Sequence, residues 1–385
     1  HPLLQAITAK LTQATALHTD TQRTAQEKAF LHRLRQTLAT GYVKRMDTYS
    51  EKEEFAWDCV NTLAPLGVWG MIMPKEYGGL GLSHKTYLMA LEELGRVDSS
   101  LALTAESHNS LCSNTILLFG NDEQKKRFLP GLASGSVMGA WALTEPESGS
   151  DAKSMRTRAV LTDGAWILNG SKAFITQGSV GKVYVIFAVT DPKAPAQSIS
   201  AFVTAGQVKG LSVGKKEHKM GLRASDTVQL DITDLNLGPE NLLGTQGRGF
   251  SMAMKVLEAG RAAISGISLG MARSALEEAI KYCQNKPVSR RYKGSPGLSA
   301  DQKVIAEYAS RLHAIRRLAL HAAELCDAGK RFAIYASMAK LLSGELATKS
   351  ATEMLDVIGL DAIGDHQVAK QFKDAKLYQI GEGTS

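Results

Sequence analysis

The sequence predicts an α+β protein, mainly helical, laid out as helices, then strands, then helices again. Three observations carry this. Up to about Met138, apolar residues recur at helical spacing, with few glycines outside one cluster. Between Trp141 and Leu243 the pattern shortens to strand-length apolar runs separated by turn residues. After Gly249 the helical spacing returns over stretches long enough for a bundle. At 385 residues the chain is long for one hydrophobic core. Several packed units are therefore expected, with limits at 1–138, 139–243 and 244–385.

In the first part, Phe55, Cys59, Leu63 and Leu66 are spaced by four, four and three, the apolar stripe of an amphipathic helix. Residues 74–81, Pro-Lys-Glu-Tyr-Gly-Gly-Leu-Gly, break the pattern. Ser83 precedes a second helix through Leu94, and Ser99 and Ser100 are placed to cap a third, which carries Leu101, Leu103 and Ala105 towards Leu111 and Cys112. In the middle part, Asp163-Gly164 is a two-residue turn between apolar runs at 159–161 and 166–168. Val183–Val189 is rich in β-branched and aromatic residues, and 228–232 alternate apolar and polar like a half-buried strand. In the last part, Ile305, Tyr308, Leu312 and Ile315 keep a three-and-four spacing, as do Ile334, Met338, Leu341 and Leu342.

With 44% hydrophobic and 22% charged residues, the composition is that of an ordinary globular protein. No run of eighteen apolar residues exists, so no membrane span is expected. The four cysteines form no C-x-x-C pair and suit free thiols in a reducing compartment, a bacterial cytoplasm or a mitochondrial matrix. The nine histidines show no metal-ligand spacing. The net charge of +7 is uneven: in residues 1–45 seven basic residues face only Asp20 and Glu27. That composition fits an organelle-targeting peptide or, more plainly, a solvated helix face. A nucleic-acid binder would show a basic stripe with stacking aromatics, which is missing elsewhere. Neither a G-x-G-x-x-G fingerprint after a strand nor a Walker motif is found.

Three segments carry chemistry. Residues 141–151, Trp-Ala-Leu-Thr-Glu-Pro-Glu-Ser-Gly-Ser-Asp, set polar loop residues behind an apolar lead-in. Residues 170–176, Gly-Ser-Lys-Ala-Phe-Ile-Thr, end a strand-like run. Residues 378–385, Tyr-Gln-Ile-Gly-Glu-Gly-Thr-Ser, flank one glutamate with glycines that let the backbone approach a ligand. In this order they resemble the flavin-cradling and catalytic segments of the acyl-CoA dehydrogenases.

The resemblance implies an N-terminal helical domain, a middle β-barrel-like domain and a C-terminal four-helix bundle, assembled as a homotetramer or homodimer. It implies an FAD-dependent acyl-CoA dehydrogenase of fatty acid β-oxidation. There, one group abstracts the α-proton and the β-hydride passes to flavin N5, giving a trans-2-enoyl-CoA, with electrons handed to an electron-transfer flavoprotein. Glu382 matches the catalytic base, and burial beside an acyl chain would raise its pKa towards that of its weak carbon acid. Taken alone it is equally an exposed turn glutamate. Some family members carry the base just before Arg261; here that position is Gly260. Arg261 matches an arginine beside the catalytic carboxylate and is otherwise a helix ion-pair residue. Glu258 and Gly383 match substrate-side positions. Trp141, Leu143 and Thr144 match flavin-facing positions, Ser150 one shared by pyrophosphate and acyl-CoA, and Thr384 a further cofactor position. Phe174 would pack on the ring and Thr176 near N5; without the resemblance both are a buried strand end. The helix around residues 99–111 would line the acyl-tail pocket. A base on the C-terminal segment suggests short to medium straight chains.

The resemblance thins further on. The segment that reaches a neighbouring subunit's FAD is matched by Arg290 in Arg-Arg-Tyr-Lys-Gly-Ser-Pro, with Lys293 replacing a phenylalanine, and by Gln302. The later Q-x-x-G-G segment reads Asp356-Val357-Ile358-Gly359-Leu360, keeping Gly359 but losing its glutamine and second glycine. Gly381 replaces the usual aromatic before the base. Two other readings stay open: an acyl-CoA oxidase-like enzyme passing electrons to oxygen, and a basic relative that binds DNA or another partner.

Overall fold

This computed structural model describes residues 24–191, 193–194, 198–206, 208–285, 299–364 and 366–384. Residues 1–23, with part of the basic segment, and Arg290 lie outside them. The first helix, α1 (Ala25–Leu38), opens on a capping box between Thr24 and Glu27. Glu27 also accepts from Ser83 N and Oγ at 3.1 and 2.5 Å, and so caps a second, distant helix. Against the desolvation of burial, hydrogen bonds from Ser83, Thr24 and Thr86 hold its carboxyl down at about 2.

After α2 (Tyr42–Lys52) comes α3 (Trp57–Leu63), shorter than the apolar stripe suggested. Phe55 precedes it, and Pro65 turns its end into a 3₁₀ turn at Ala64–Leu66. Ser83 caps α4 (His84–Val97) by accepting from Thr86 N. The cap of α5 (Ser99–Glu106) is Asp98, not Ser99 or Ser100: Asp98 is extended and its Oδ1 accepts from Leu101 N at 2.8 Å. The helix then widens into a π segment, Ser107–Ser113, before α6 (Asn114–Phe119) and α7 (Asp122–Ser134).

The middle of the chain is an eight-stranded sheet: β1 (Gly139–Ala142), β2 (Arg158–Thr162), β3 (Ala165–Thr176), β4 (Val183–Val189), β5 (Ile199–Ala205), β6 (Leu211–Lys216), β7 (Thr227–Leu237) and β8 (Leu242–Leu243). The order is β6-β7-β3-β2-β4-β5-β8, with β1 parallel to β4. Asp163 and Gly164 both take positive φ, 53° and 82°, which the two-residue turn between β2 and β3 demands. β4 is buried along its whole length, as its uninterrupted apolar run predicts.

The last part holds α8 (Gly249–Asn285), α9 (Ala300–Asp327), α10 (Ala333–Ile358), α11 (Gln367–Ala375) and α12 (Leu377–Ile380). α8 packs on α4, α9 and α10. A Cβ at Gly266 would meet Leu88 O at 2.5 Å and one at Gly270 would meet Glu92 O at 2.2 Å, so α4 and α8 touch backbone to backbone. Two buried carboxylates of α4 tie it to its neighbours: Glu92 meets Arg316 Nε of α9 at 2.9 Å, and Glu93 receives Arg35 of α1 at 2.9 Å and, across the seam, Arg273 of α8 at 3.1 Å.

One expected stripe faces the other way. Ile334 (69% exposed), Met338 (48%), Leu341 and Leu342 point outward. α10 instead buries Ala336, Ala339, Ser343, Gly344 and Ala347. Spacing locates an apolar face but not its partner, and here small residues won the tight contact with α8. Among the described residues all four cysteines are free, Cys59 and Cys112 buried and the other two half-buried. None of the described helices is long and apolar enough to cross a membrane, and no cluster of metal-ligating side chains is found among the described residues.

Candidate active site

Glu382 sits in the turn after α12. Tyr378, fully buried, anchors that turn by donating to Ser99 O at 3.0 Å, and Lys340 of α10 latches it by donating to Gly383 O. Glu382 takes φ +54° and Gly383 φ +105°. A non-glycine residue in the left-handed region carries strain of order 1 kcal/mol. The strain aims the side chain inward. Although residue 382 is half-buried as a whole, both its carboxyl oxygens are cut off from solvent. The exposed-turn alternative is therefore set aside.

The space the carboxyl occupies is the one a side chain at 260 would need: a Cβ there would lie 2.9 Å from Glu382 Oε2. Arg261 is the next residue on α8, and its Nη2 would lie 3.6 Å from a Cβ on Gly383. Among the described residues Arg261 forms no ion pair, so its charge stands near the carboxyl without being spent on it. Burial raises the Glu382 pKa above the ordinary carboxylate value, opposed by Glu106, Lys340 and Arg261.

A second cluster lies where β1 leaves the sheet. Lys172 of β3, fully buried, donates to Leu143 O at 3.1 Å and to Glu145 at 2.8 Å, while Glu145 accepts from Arg156 N and Thr157 N. Burial lowers the Lys172 pKa to about 8 against the pull of Glu145. Ala173 N donates to Thr144 O at 2.9 Å, and Trp141 Nε1 donates to Thr115 at 3.0 Å. The Trp-Ala-Leu-Thr loop is thus strapped beside residue 174. There a register shift between β3 and β7 lets Phe174 adopt φ +55°. The residue is 63% exposed, so the strand-end core residue that composition alone suggested is not what the fold holds.

An aromatic ring held outward by a strained backbone makes a platform for another flat ring. Half-buried Thr176 stands two residues along, with a hydroxyl able to donate or accept. These residues fit the isoalloxazine of FAD.

Gln177 joins the two clusters, since its amide donates to Thr104 O and accepts from Ser107 on either side of Glu106. The other expected residues stand apart. Ser150 is exposed on the loop after Thr144, Glu258 is half-buried two residues before Gly260 and so about 200° round α8 from it, and Thr384 is exposed beyond the latch. Gln302 is buried, with its carbonyl committed to capping α9. Asp356 is exposed and Gly359 half-buried at the far end of α10, about 24 Å along the axis from Lys340. Leu360 beside them is 87% exposed.

Sequence reasoning missed Glu106, Lys340, Gln177 and the Lys172–Glu145 strap. The one available signal was Glu106, a lone acid closing the run Leu-Ala-Leu-Thr-Ala at 101–105.

Three family descriptions match in succession: acyl-CoA dehydrogenase N-terminal domain over residues 24–136, middle domain over 140–235 and C-terminal domain over 247–385. An acyl-CoA dehydrogenase of Bacillus subtilis (strain 168) is 37% identical over 363 residues, 94% of this chain and 95% of the relative. The butyryl-CoA dehydrogenase of Megasphaera elsdenii superposes with TM-score 0.90 at 33% identity, over 95% of this chain and 96% of its own. A chain in the structure described as the electron transferring flavoprotein of Acidaminococcus fermentans gives TM-score 0.90 at 34% identity, with the same coverage.

Proposed function

Since the chain belongs to the acyl-CoA dehydrogenase family of oxidoreductases, we propose that it oxidises a short, straight-chain acyl-CoA to its trans-2-enoyl-CoA with Glu382 as base. The observation that carries this is the Glu382 carboxyl: buried, aimed by a strained turn, and filling the place left by Gly260.

An α C–H beside a thioester is a weak acid, so its removal needs a carboxylate that water does not stabilise. Glu382 meets that need. Lys340 and Tyr378 hold its turn rigid, which limits the loss of alignment that a shift of about 1 Å would bring. Arg261 and Lys340 keep one negative charge tolerable in the dry site. FAD, when bound, supplies the hydride acceptor for the β-carbon. Trp141, Leu143, Thr144, Phe174 and Thr176 would hold its ring; Ser150 and Thr384 extend the site outward, with Glu258 and Gly383 on the substrate side. Gln302, Asp356, Gly359 and Arg290 would serve the flavin of a neighbouring subunit. Their support is the distance of Asp356 and Gly359 from Lys340, together with the outward apolar face of α10, which suits a homotetramer or homodimer. Likeness to the butyryl-CoA enzyme supports the short chain, and likeness to the flavoprotein-associated chain supports electron-transfer flavoprotein as acceptor.

The test is anaerobic titration with butyryl-, octanoyl- and isovaleryl-CoA. Butyryl-CoA should bleach the flavin of the wild type, and Glu382→Gln should lose at least about 1,000-fold in that rate while keeping its flavin. A wild-type flavin that no acyl-CoA bleaches would refute the reading.

A further inference from the structure

Glu106 is an unexpected neighbour for a catalytic base. It ends α5, immediately before the π segment, a distortion that often marks a functional position. Its residue is 0% exposed, and a single carbon placed on Gly260 would lie 2.9 Å from Glu382 Oε2 and 3.6 Å from Glu106 Oε1. Two carboxyl groups therefore face one small space. None of their four oxygens receives a hydrogen bond from any described residue.

Most donors close by are already committed, and the Ser110 hydroxyl, which eases ionisation of Glu106, is outweighed there by burial and by the charge of Glu382. Tyr87 from α4 is paired with Ser110 Oγ at 2.9 Å and reaches Glu106 only at its backbone oxygen. Tyr378 donates to Ser99 O, and Lys340 to Gly383 O and Gln379 O. Arg261 contributes charge without contact. Two ionised carboxyl groups closed off from bulk solvent and facing one small space repel each other. A proton on one of them removes that repulsion and supplies a donor to the other.

We propose that Glu106 and Glu382 form a carboxylic acid–carboxylate pair, in which Glu106 holds the proton in the resting enzyme and donates it in a hydrogen bond to Glu382. The assignment of the proton follows from the surroundings. The two cations of the site, Lys340 and Arg261, act on Glu382, whereas Glu106 is influenced only by burial, by Glu382 and by the Ser110 hydroxyl. The more isolated group keeps the proton. Burial, then the charge of Glu382, drives the Glu106 pKa well above the ordinary carboxylate value.

This deepens the reading of Glu382 as base and rests on it for its role in turnover. Glu106 is a positioning residue: its O–H fixes which Glu382 oxygen is free to meet substrate. When the α C–H bond breaks, its proton joins Glu382. The electron pair becomes the new double bond, and FAD, when bound, would supply the acceptor for the β-hydride. The pair then carries two protons and no charge, so it leaves no unsolvated carboxylate beside an apolar product.

The test is infrared spectroscopy of the flavin-loaded protein in heavy water at neutral pH without acyl-CoA, reading the carbonyl band of a protonated carboxyl. The proposal expects a band in the wild type that disappears in Glu106→Gln and persists in Glu382→Gln. No such band in the wild type, or any other pattern across the two variants, overturns it. Turnover supplies a second, independent reading. The rate of flavin reduction should show two ionisations in the wild type and one in Glu106→Gln. Glu106→Leu, which has no donor, should be slowed at least about tenfold, and Glu106→Gln should recover most of that loss. Equal rates in the Leu and Gln variants would also overturn the proposal. If no acyl-CoA bleaches the flavin while the infrared pattern holds, the substrate reading fails and the pair stands.

Discussion

At the scale of single residues, Gly260 decides where the base can sit. A methyl group there would meet Glu382 Oε2 at 2.9 Å, and the carboxyl would have to swing away. Gly260→Ala should keep the fold and the flavin but lower the rate of reduction by butyryl-CoA by roughly 10- to 100-fold; an unchanged rate in stopped-flow measurements would remove Glu382 from its assigned place. The candidate base was legible through the resemblance its segment bears to a known family, since flanking glycines suit an exposed turn equally; the open neighbour at 260 was legible in the same way. Glu106 was harder to read: a glutamate inside a helix is ordinarily a solvent-facing residue, whereas α5 is buried along its whole length and closes this one in.

At the scale of elements, α4 and α8 form the seam on which the site is built, and buried charge locks it. Glu93 is held down at about 2: burial opposes its ionisation, but Arg273, Arg35 and Arg96 overcome it. A carboxyl depressed in the fold contributes stability that is fully present above its unfolded value, about 4.5, and lost as pH falls towards 2. Its share is on the order of 3 kcal/mol. Glu93→Gln should therefore lower the denaturation midpoint at pH 7 and flatten the loss of stability between pH 4.5 and 2, measured by urea unfolding across that range. Elements whose identity is set by local chemistry, such as the Asp163-Gly164 hairpin, the Ser83 cap and the uniform run of β4, could be read in advance. Those set by a competitor could not. Asp98 captured a cap expected from the serines that follow it, Pro65 shortened α3, and the alanine face of α10 outbid its larger side chains for the core.

At the scale of the whole molecule, the outward face of α10 and the remoteness of Asp356 and Gly359 belong together. Both are accounted for if a second copy covers Ile334 and Met338 and borrows the far end of α10. Met338→Lys should then shift the sedimenting species towards the monomer and release FAD in parallel; retention of both the oligomer and the flavin would refute the link. The α-β-α order of the chain was plain from periodicity. Which way the stripe on α10 faces was not, because an apolar stripe reads the same whether it turns to its own core or to a neighbour.

The seam of glycines between α4 and α8 also dictates how this pocket can be recut. With backbone against backbone at 266 and 270, no side chain can be enlarged there and neither helix can slide, so the wall that presents Gly260 and Arg261 is a fixed datum. The turn that carries Glu382 is adjustable. A Cβ at Gly381 would find nothing nearer than Leu377 O at 3.5 Å, an ordinary contact. A designer seeking a different acyl chain would leave α8 untouched and vary 381 and the π turn after Glu106, much as a lathe keeps its bed and changes only the tool.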